Sequence, residues 1–244
     1  MNISLPSPNL FLSLFFIILL APVPASGQRL HPRLKEAKPV DAKQVLSRII
    51  VLPAQVSLSK DGMKGGESLE KEAAAATPII EKAMAKALTA KNLTVLESLF
   101  TPERLRNDEK LKYALADLQR NYHELLVKIS KKQKDIEKGR FSLGDQVLLL
   151  NQDDNIDAFV FIDAAGQRKS GGKKAMGIAL LNPFMIMPLY FIRIGIIDAR
   201  NGDVLAYDQV ITTYDFGKED DKKLVELLTK SLKKLPTGTA AEKK

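Results

Sequence analysis

Between Leu111 and Ile129 the apolar residues Leu111, Leu115, Leu118, Tyr122, Leu125 and Ile129 alternate steps of four and three. That spacing lines one face of a long helix with apolar side chains, and the face needs a surface to cover it. A coiled-coil partner is one cover. The repeat lasts only about three heptads and recurs nowhere else, which favours a sheet supplied by the same chain.

Runs rich in β-branched and aromatic residues provide such a sheet. They are "RIIVLPAQVSL" (48–58), "NLTVLE" (92–97), "AFVFIDA" (158–164), "PLYFIRIGIIDA" (188–199) and "VLAYDQVIT" (204–212). Pro53 marks a bulge or an edge in the first, and Asn201-Gly202 reads as the turn of a hairpin between the last two. The stretch from Ser68 to Asn92 is helical, with Ile80, Ala83, Met84, Ala87 and Leu88 on one stripe. Pro78 either kinks this helix or begins its better half. Thr101-Pro102 is a helix start. "SLGDQVLLL" is a further short helix. A last helix covers Asp220 to Leu235, with Leu224, Leu228, Leu232 and Leu235 on one side and Pro236 as its stop. The order β-α-β-α-α-β-β-β-α predicts one α/β domain with a mixed sheet over residues 47–236. Residues 28–46 read as a polar linker or arm, 60–68 as a loop, 131–140 as a basic solvated connection and 237–244 as a polar tail.

Residues 1–27 carry no charged side chain and include an apolar stretch from Phe11 to Leu20. The stretch is short for a membrane span, and the small residues after it fit signal-peptidase cleavage after Ala25 or after Gly27. The expectation is a cleaved signal peptide and a periplasmic location, with a retained anchor as the alternative. The absence of cysteine rules out disulfides, thiolate metal ligands and a cysteine-linked lipid. The net charge of +8 lies wholly in the remainder and attracts anionic surfaces. Few aromatics and no tryptophan argue against nucleic acid as the partner.

Motifs for chemistry are incomplete. Gly166 and Gly171 have phosphate-loop spacing, but Gly172 stands at the lysine position and Lys173 at the hydroxyl position. S-x-x-K begins at Ser57, Ser68, Ser170 and Ser231, and no S-x-N follows the first 27 residues. "DDNID" (153–157) opens like a calcium loop, yet Ala158 and Ala164 replace its glycine and glutamate. His31 and His123 form no pair suited to zinc. Asp163 is the best single catalytic carboxylate and lacks a partner legible in the sequence; a turn-capping role is the plainer reading. The expectation is therefore no enzyme activity, no cofactor and no metal.

The uncharged segment "AMGIALLNPFMIMPLYFI" (175–192) overlaps the end of the glycine-rich basic loop 166–177. Asn182, Pro183 and Pro188 oppose one continuous membrane helix. Either it is a buried loop leading into a core strand, or it touches a membrane. In the second case Phe184, Met185 and Met187 insert, while Arg168, Lys169, Lys173 and Lys174 meet head-group phosphates.

Two stretches carry a resemblance: "DAFVFID" after a helix, and "IGIIDARNGDVLAYDQV" as a strand–D-A-R-x-G-x-V–strand hairpin. With the element order, they resemble the amino-terminal domain of TolB and the related CsgG and LpoB envelope proteins over about residues 47–236. The resemblance implies an exported, non-enzymatic protein that binds an envelope protein partner, with homo-oligomers within the range of the group. Many members are lipoproteins, and this chain departs from them in lacking the cysteine. The second functional reading is a peripheral binder of anionic lipid or cell-wall polymer through the basic loop and its apolar neighbour.

Overall fold

The computed structural model describes residues 28–35, 46–62, 65–151, 155–180, 187–216 and 221–236. In chain order the elements are β1 (Arg29–Leu30), α1 (Pro32–Lys35), β2 (Arg48–Val51), β3 (Gln55–Gly62), β4 (Gly65–Ser68), α2 (Glu70–Thr89) and β5 (Thr94–Val95). There follow α3 (Pro102–Asn107), α4 (Glu109–Lys131), β6 (Ala158–Lys169), α5 (Gly171–Ala179), β7 (Leu189–Asp198), β8 (Val204–Thr212) and α6 (Asp221–Ser231). The protein is α/β with a mixed open sheet. It contains β1, α1, β4 and α5 beyond the sequence-derived order, each in a stretch whose composition reads as linker, arm or loop.

Strand β6 organises the sheet. On one side β7, β8 and β1 follow it in antiparallel succession; on the other β2 and β3 run parallel to its first and second halves. β2 and β3 are one strand line with a slip. Val51 faces Val160, whereas Gln55 faces Asp163, so three residues of one chain span two of the other. Pro53 sits in that bulge, where its missing N–H costs no ladder bond. Its carbonyl accepts from Gln119 Nε2 at 2.9 Å, and Ala54 N donates to Glu81 Oε1 at 2.8 Å.

Helices cover both faces. Ala158, Val160, Ile162 and Ala164 of β6 pack toward α2 and α6, while Phe159 and Phe161 pack toward α4. All six stripe residues of α4 are buried, and Asp108 caps the helix through Leu111 N at 2.9 Å. Thr101 caps α3 by accepting from Arg104 N. α2 runs unbroken through Pro78. "SLGDQVLLL" forms a 3-10 turn, Gly144–Leu149, and a second such turn, Gln133–Lys138, replaces the expected solvated connection and buries Ile136.

The β7–β8 hairpin closes as expected, but Gly202 alone of the Asn-Gly pair takes a positive φ, 77°. Its carbonyl accepts from Leu143 N at 2.8 Å, and a Cβ there would strike the Gly144 backbone. Residues 28–35 are docked, unlike a linker. β1 covers the open edge of β8, His31 and Leu34 are buried, and Arg33 bridges Asp198 and Asp203 at 3.0 and 2.9 Å. The expected signal peptide, residues 1–27, and the polar tail, 237–244, lie outside the described residues.

Candidate functional site

β3 and β8 both run parallel to β6, so the three strands end together at one end of the sheet. In open α/β sheets the crevice beyond the strand carboxyl ends is the usual place for a ligand. Here a cleft of about 1030 Å³ opens there, on the face covered by α2 and α6. Lys60 comes from β3, Arg168 and Lys169 from β6, Thr212 from β8, Lys174 from α5 and Lys223 from α6. Thr213, Tyr214 and Asp215 follow β8, and Leu69 and Glu72 stand at the start of α2. Five cations thus meet two carboxylates, Glu72 and Asp215.

The cations are not equivalent. Arg168 donates Nε and Nη2 to the two oxygens of Asp215, each at 2.9 Å, a planar fork that fixes both groups. This pairing pushes the guanidinium pKa above its ordinary value. Tyr190 packs beside them against Phe216, and burial pushes its phenol up to about 12. Lys169 Nζ donates to Asp61 Oδ2 at 3.0 Å and to Gln167 Oε1 at 2.9 Å, and Lys173 takes the other oxygen of Asp61. Burial works against ionisation of Asp61, but the two lysines outweigh it and hold the carboxyl below its usual range. Lys60, Lys174 and Lys223 remain exposed at the rim, Lys223 with its Nζ 5.2 Å from the centre of the Tyr214 ring.

The expected glycine loop is therefore a strand end and a helix start. Gly166 lies inside β6, where a Cβ would come within 2.6 Å of Leu58 and strike the Tyr190 ring. Ser170 caps α5 through Lys173 N at 3.3 Å, and its own N–H donates to Asp61 O. Arg168, Lys169, Lys173 and Lys174 are together, yet three of them hold the fold's own carboxylates. Met187 is 51% exposed, while Phe184 and Met185 lie outside the described residues. Sequence reading missed Lys60 and Lys223. Lys60 shares the face of Leu58 two residues earlier, a period-2 signal that continues past the expected strand end at residue 58.

On the opposite face Asp163 does have partners. Arg193 Nη2 reaches its Oδ1 at 2.8 Å, and His123 Nδ1 lies 3.4 Å from its Oδ2. An arginine occupying one oxygen suits an anchoring carboxylate better than a general base, and among the described residues no hydroxyl donates to His123. Beyond this polar band Ala165, Gln167, Leu189, Phe191 and Ile211 share a face that none of the described helices covers. Part of it lines a 470 Å³ cavity with Ser57 and Ser59. Among the described residues no cluster of metal ligands occurs and no helix is long and apolar enough to cross a membrane.

No family model and no curated protein matches the chain. Among solved structures, it is similar to the PelC dodecamer from Paraburkholderia phytofirmans at 12% identity and a TM-score of 0.38, over 88% of this chain and 96% of that one. A single-substitution PelC dodecamer from the same organism gives the same identity and score over 79% and 90%. A TM-score this low identifies neither the fold nor the function of this chain.

Proposed function

We propose that the chain is an exported, non-enzymatic envelope protein that binds a protein partner in cell-envelope assembly or secretion. The observation that carries this reading is the sheet face that no described helix covers, where Leu189, Phe191 and the 44%-exposed Ile211 stand side by side. A contiguous apolar patch on a structured sheet is the kind of surface another molecule covers. The apolar stretch Phe11–Leu20 with its small-residue sequel supports export. The kinship with TolB, CsgG and LpoB domains and a homo-oligomeric form belong to the same proposal. Fractionating cells that express the full chain, washing the membranes at alkaline pH and sequencing the mature amino terminus tests it. A chain cut after Ala25 or Gly27 in the soluble periplasmic fraction is expected; an uncut chain in the cytoplasm overturns export.

A second reading, peripheral contact with membrane or cell-wall polymer, is favoured by one feature. Ile178, Leu180 and Met187 are all exposed, and the first two are close in sequence to Lys174. Replacing Arg168, Lys169, Lys173 and Lys174 with glutamine should abolish vesicle binding at low salt, and unchanged binding removes this reading.

A further inference from the structure

We infer that the cleft between the starts of α2, α5 and α6 is a binding site for a multiply charged phosphate, held by Lys60, Lys174 and Lys223. The inference is independent of the partner-binding reading, because it concerns the opposite face of the sheet. The structure divides the local cations into two classes. Arg168, Lys169 and Lys173 are held in ion pairs by Asp215 and Asp61, and Arg168 and Lys169 line the cleft. Lys60, Lys174 and Lys223 are exposed, and among the described residues none of the three has an ion pair. They converge from three different elements on one concavity.

Three flexible ammonium groups around a cleft match the spread charge of a polyphosphate, since lysine acts as a point charge needing no fixed fork. Backbone and hydroxyl donors add to them. Leu69 stands at the cap position before α2, no side chain caps the first N–H groups of the helix, and Leu69 lines the cleft. That end of a 20-residue helix carries unsatisfied donors and a positive dipole end. Thr212 and Thr213 supply hydroxyls on the other wall. Glu72 is the one lining carboxylate not taken up by Arg168, and it opposes an anion. The concavity also separates this site from a flat bilayer contact, because the cations surround a hollow and do not project from a loop tip.

The test uses protein purified after expression of the full chain, titrated calorimetrically with inorganic tripolyphosphate in about 50 mM salt, where exposed charges are weakly screened. Saturable one-to-one binding is expected. The variant Lys60→Gln/Lys174→Gln/Lys223→Gln should lose at least about tenfold in affinity, a change of roughly 1.4 kcal/mol. Glu72→Gln should bind a few-fold more tightly. A charge-matched control, Lys128→Gln/Lys131→Gln/Lys132→Gln on and just after α4, should bind like the parent. Vesicles of phosphatidylglycerol distinguish the source of the phosphate. Displacement of vesicles by tripolyphosphate supports a soluble ligand, and vesicle binding lost only in the cleft variant supports a lipid headgroup at the same lysines. No saturable binding of either probe, or an equal loss in the α4 control, overturns the site. Circular dichroism melts of each variant separate lost binding from lost folding.

Discussion

His31 is 8% exposed and lies with its ring against Gly139, while its Nδ1 accepts from Arg33 N at 3.2 Å. Burial, and secondarily the Arg33 charge, lower its pKa below the ordinary 6.5, against a weaker pull from Asp203 and Asp198. A depressed histidine pKa means that folding favours the neutral ring. Its stabilising contribution is complete above about pH 6.5 and is lost as the pH falls through the lower folded-state value. Protonation also turns the Nδ1 acceptor into a donor facing the Arg33 N–H. The melting temperature should therefore drop between pH 7 and pH 5 by more in the parent than in His31→Gln. Parallel pH profiles of the two proteins would exclude the histidine as the cause. Nothing in the sequence announces this residue, because "QRLHPRLKEAKP" has the proline and charge content of a linker. Its burial comes from the open edge of β8, a tertiary fact that local composition does not encode.

At the scale of elements, periodicity was the dependable signal and punctuation the deceptive one. The α4 stripe, the β6 core run and the β7–β8 hairpin are all where spacing places them, since each buries a face whose period the sequence must keep. The glycines of 166–177 instead read as a loop, whereas Gly166 is a strand residue beneath a tyrosine and Gly171, Gly172 and Gly177 belong to a helix. The device that joins them is Asp61, which ties β3 to Lys169 at the end of β6 and to Lys173 in α5. The Lys169 side chain is only 9% exposed, so removing its carboxylate leaves a poorly hydrated cation. Asp61→Asn should destabilise the protein by about 1–3 kcal/mol after allowance for solvent screening. Amide exchange should accelerate across α5 before it does in α2. Uniform acceleration, or no loss in urea midpoint, would show that the carboxylate is not the joint. Because the folded Asp61 pKa is depressed, this contribution is present above the ordinary carboxylate range and fades as acid protonates it.

The whole molecule is an asymmetric sandwich. Among the described residues, its first half, where β2 pairs with the start of β6, has helices on both faces, while in its second half, where β3 pairs with the end of β6, no described helix covers the face of Phe191. The sequence of β6 records that change: the continuous apolar run to Ile162 gives way to Asp163 and Gln167 on the face of Phe191 and to Ala164, Gly166 and Arg168 on the other. What the sequence does not record is which α-helical layer stops where, and for that reason the cleft and the bare face emerge only in three dimensions. Neighbouring residues of β7 make the asymmetry measurable. Ile192 is wholly buried toward α2 and α6, whereas Phe191 and its cross-strand neighbour Ile211 face outward. Ile211→Asp should change stability by no more than about 0.5 kcal/mol, as for other surface positions. Ile192→Asp buries an unpaired charge and should leave no folded protein at all. A photo-crosslinking side chain at 211 should then capture a discrete partner in intact cells, and Phe191→Asp should abolish the adduct without moving the melting curve by more than a few degrees. If Ile211→Asp unfolds the protein instead, that face is part of the core, and the partner-binding reading loses the surface on which it stands.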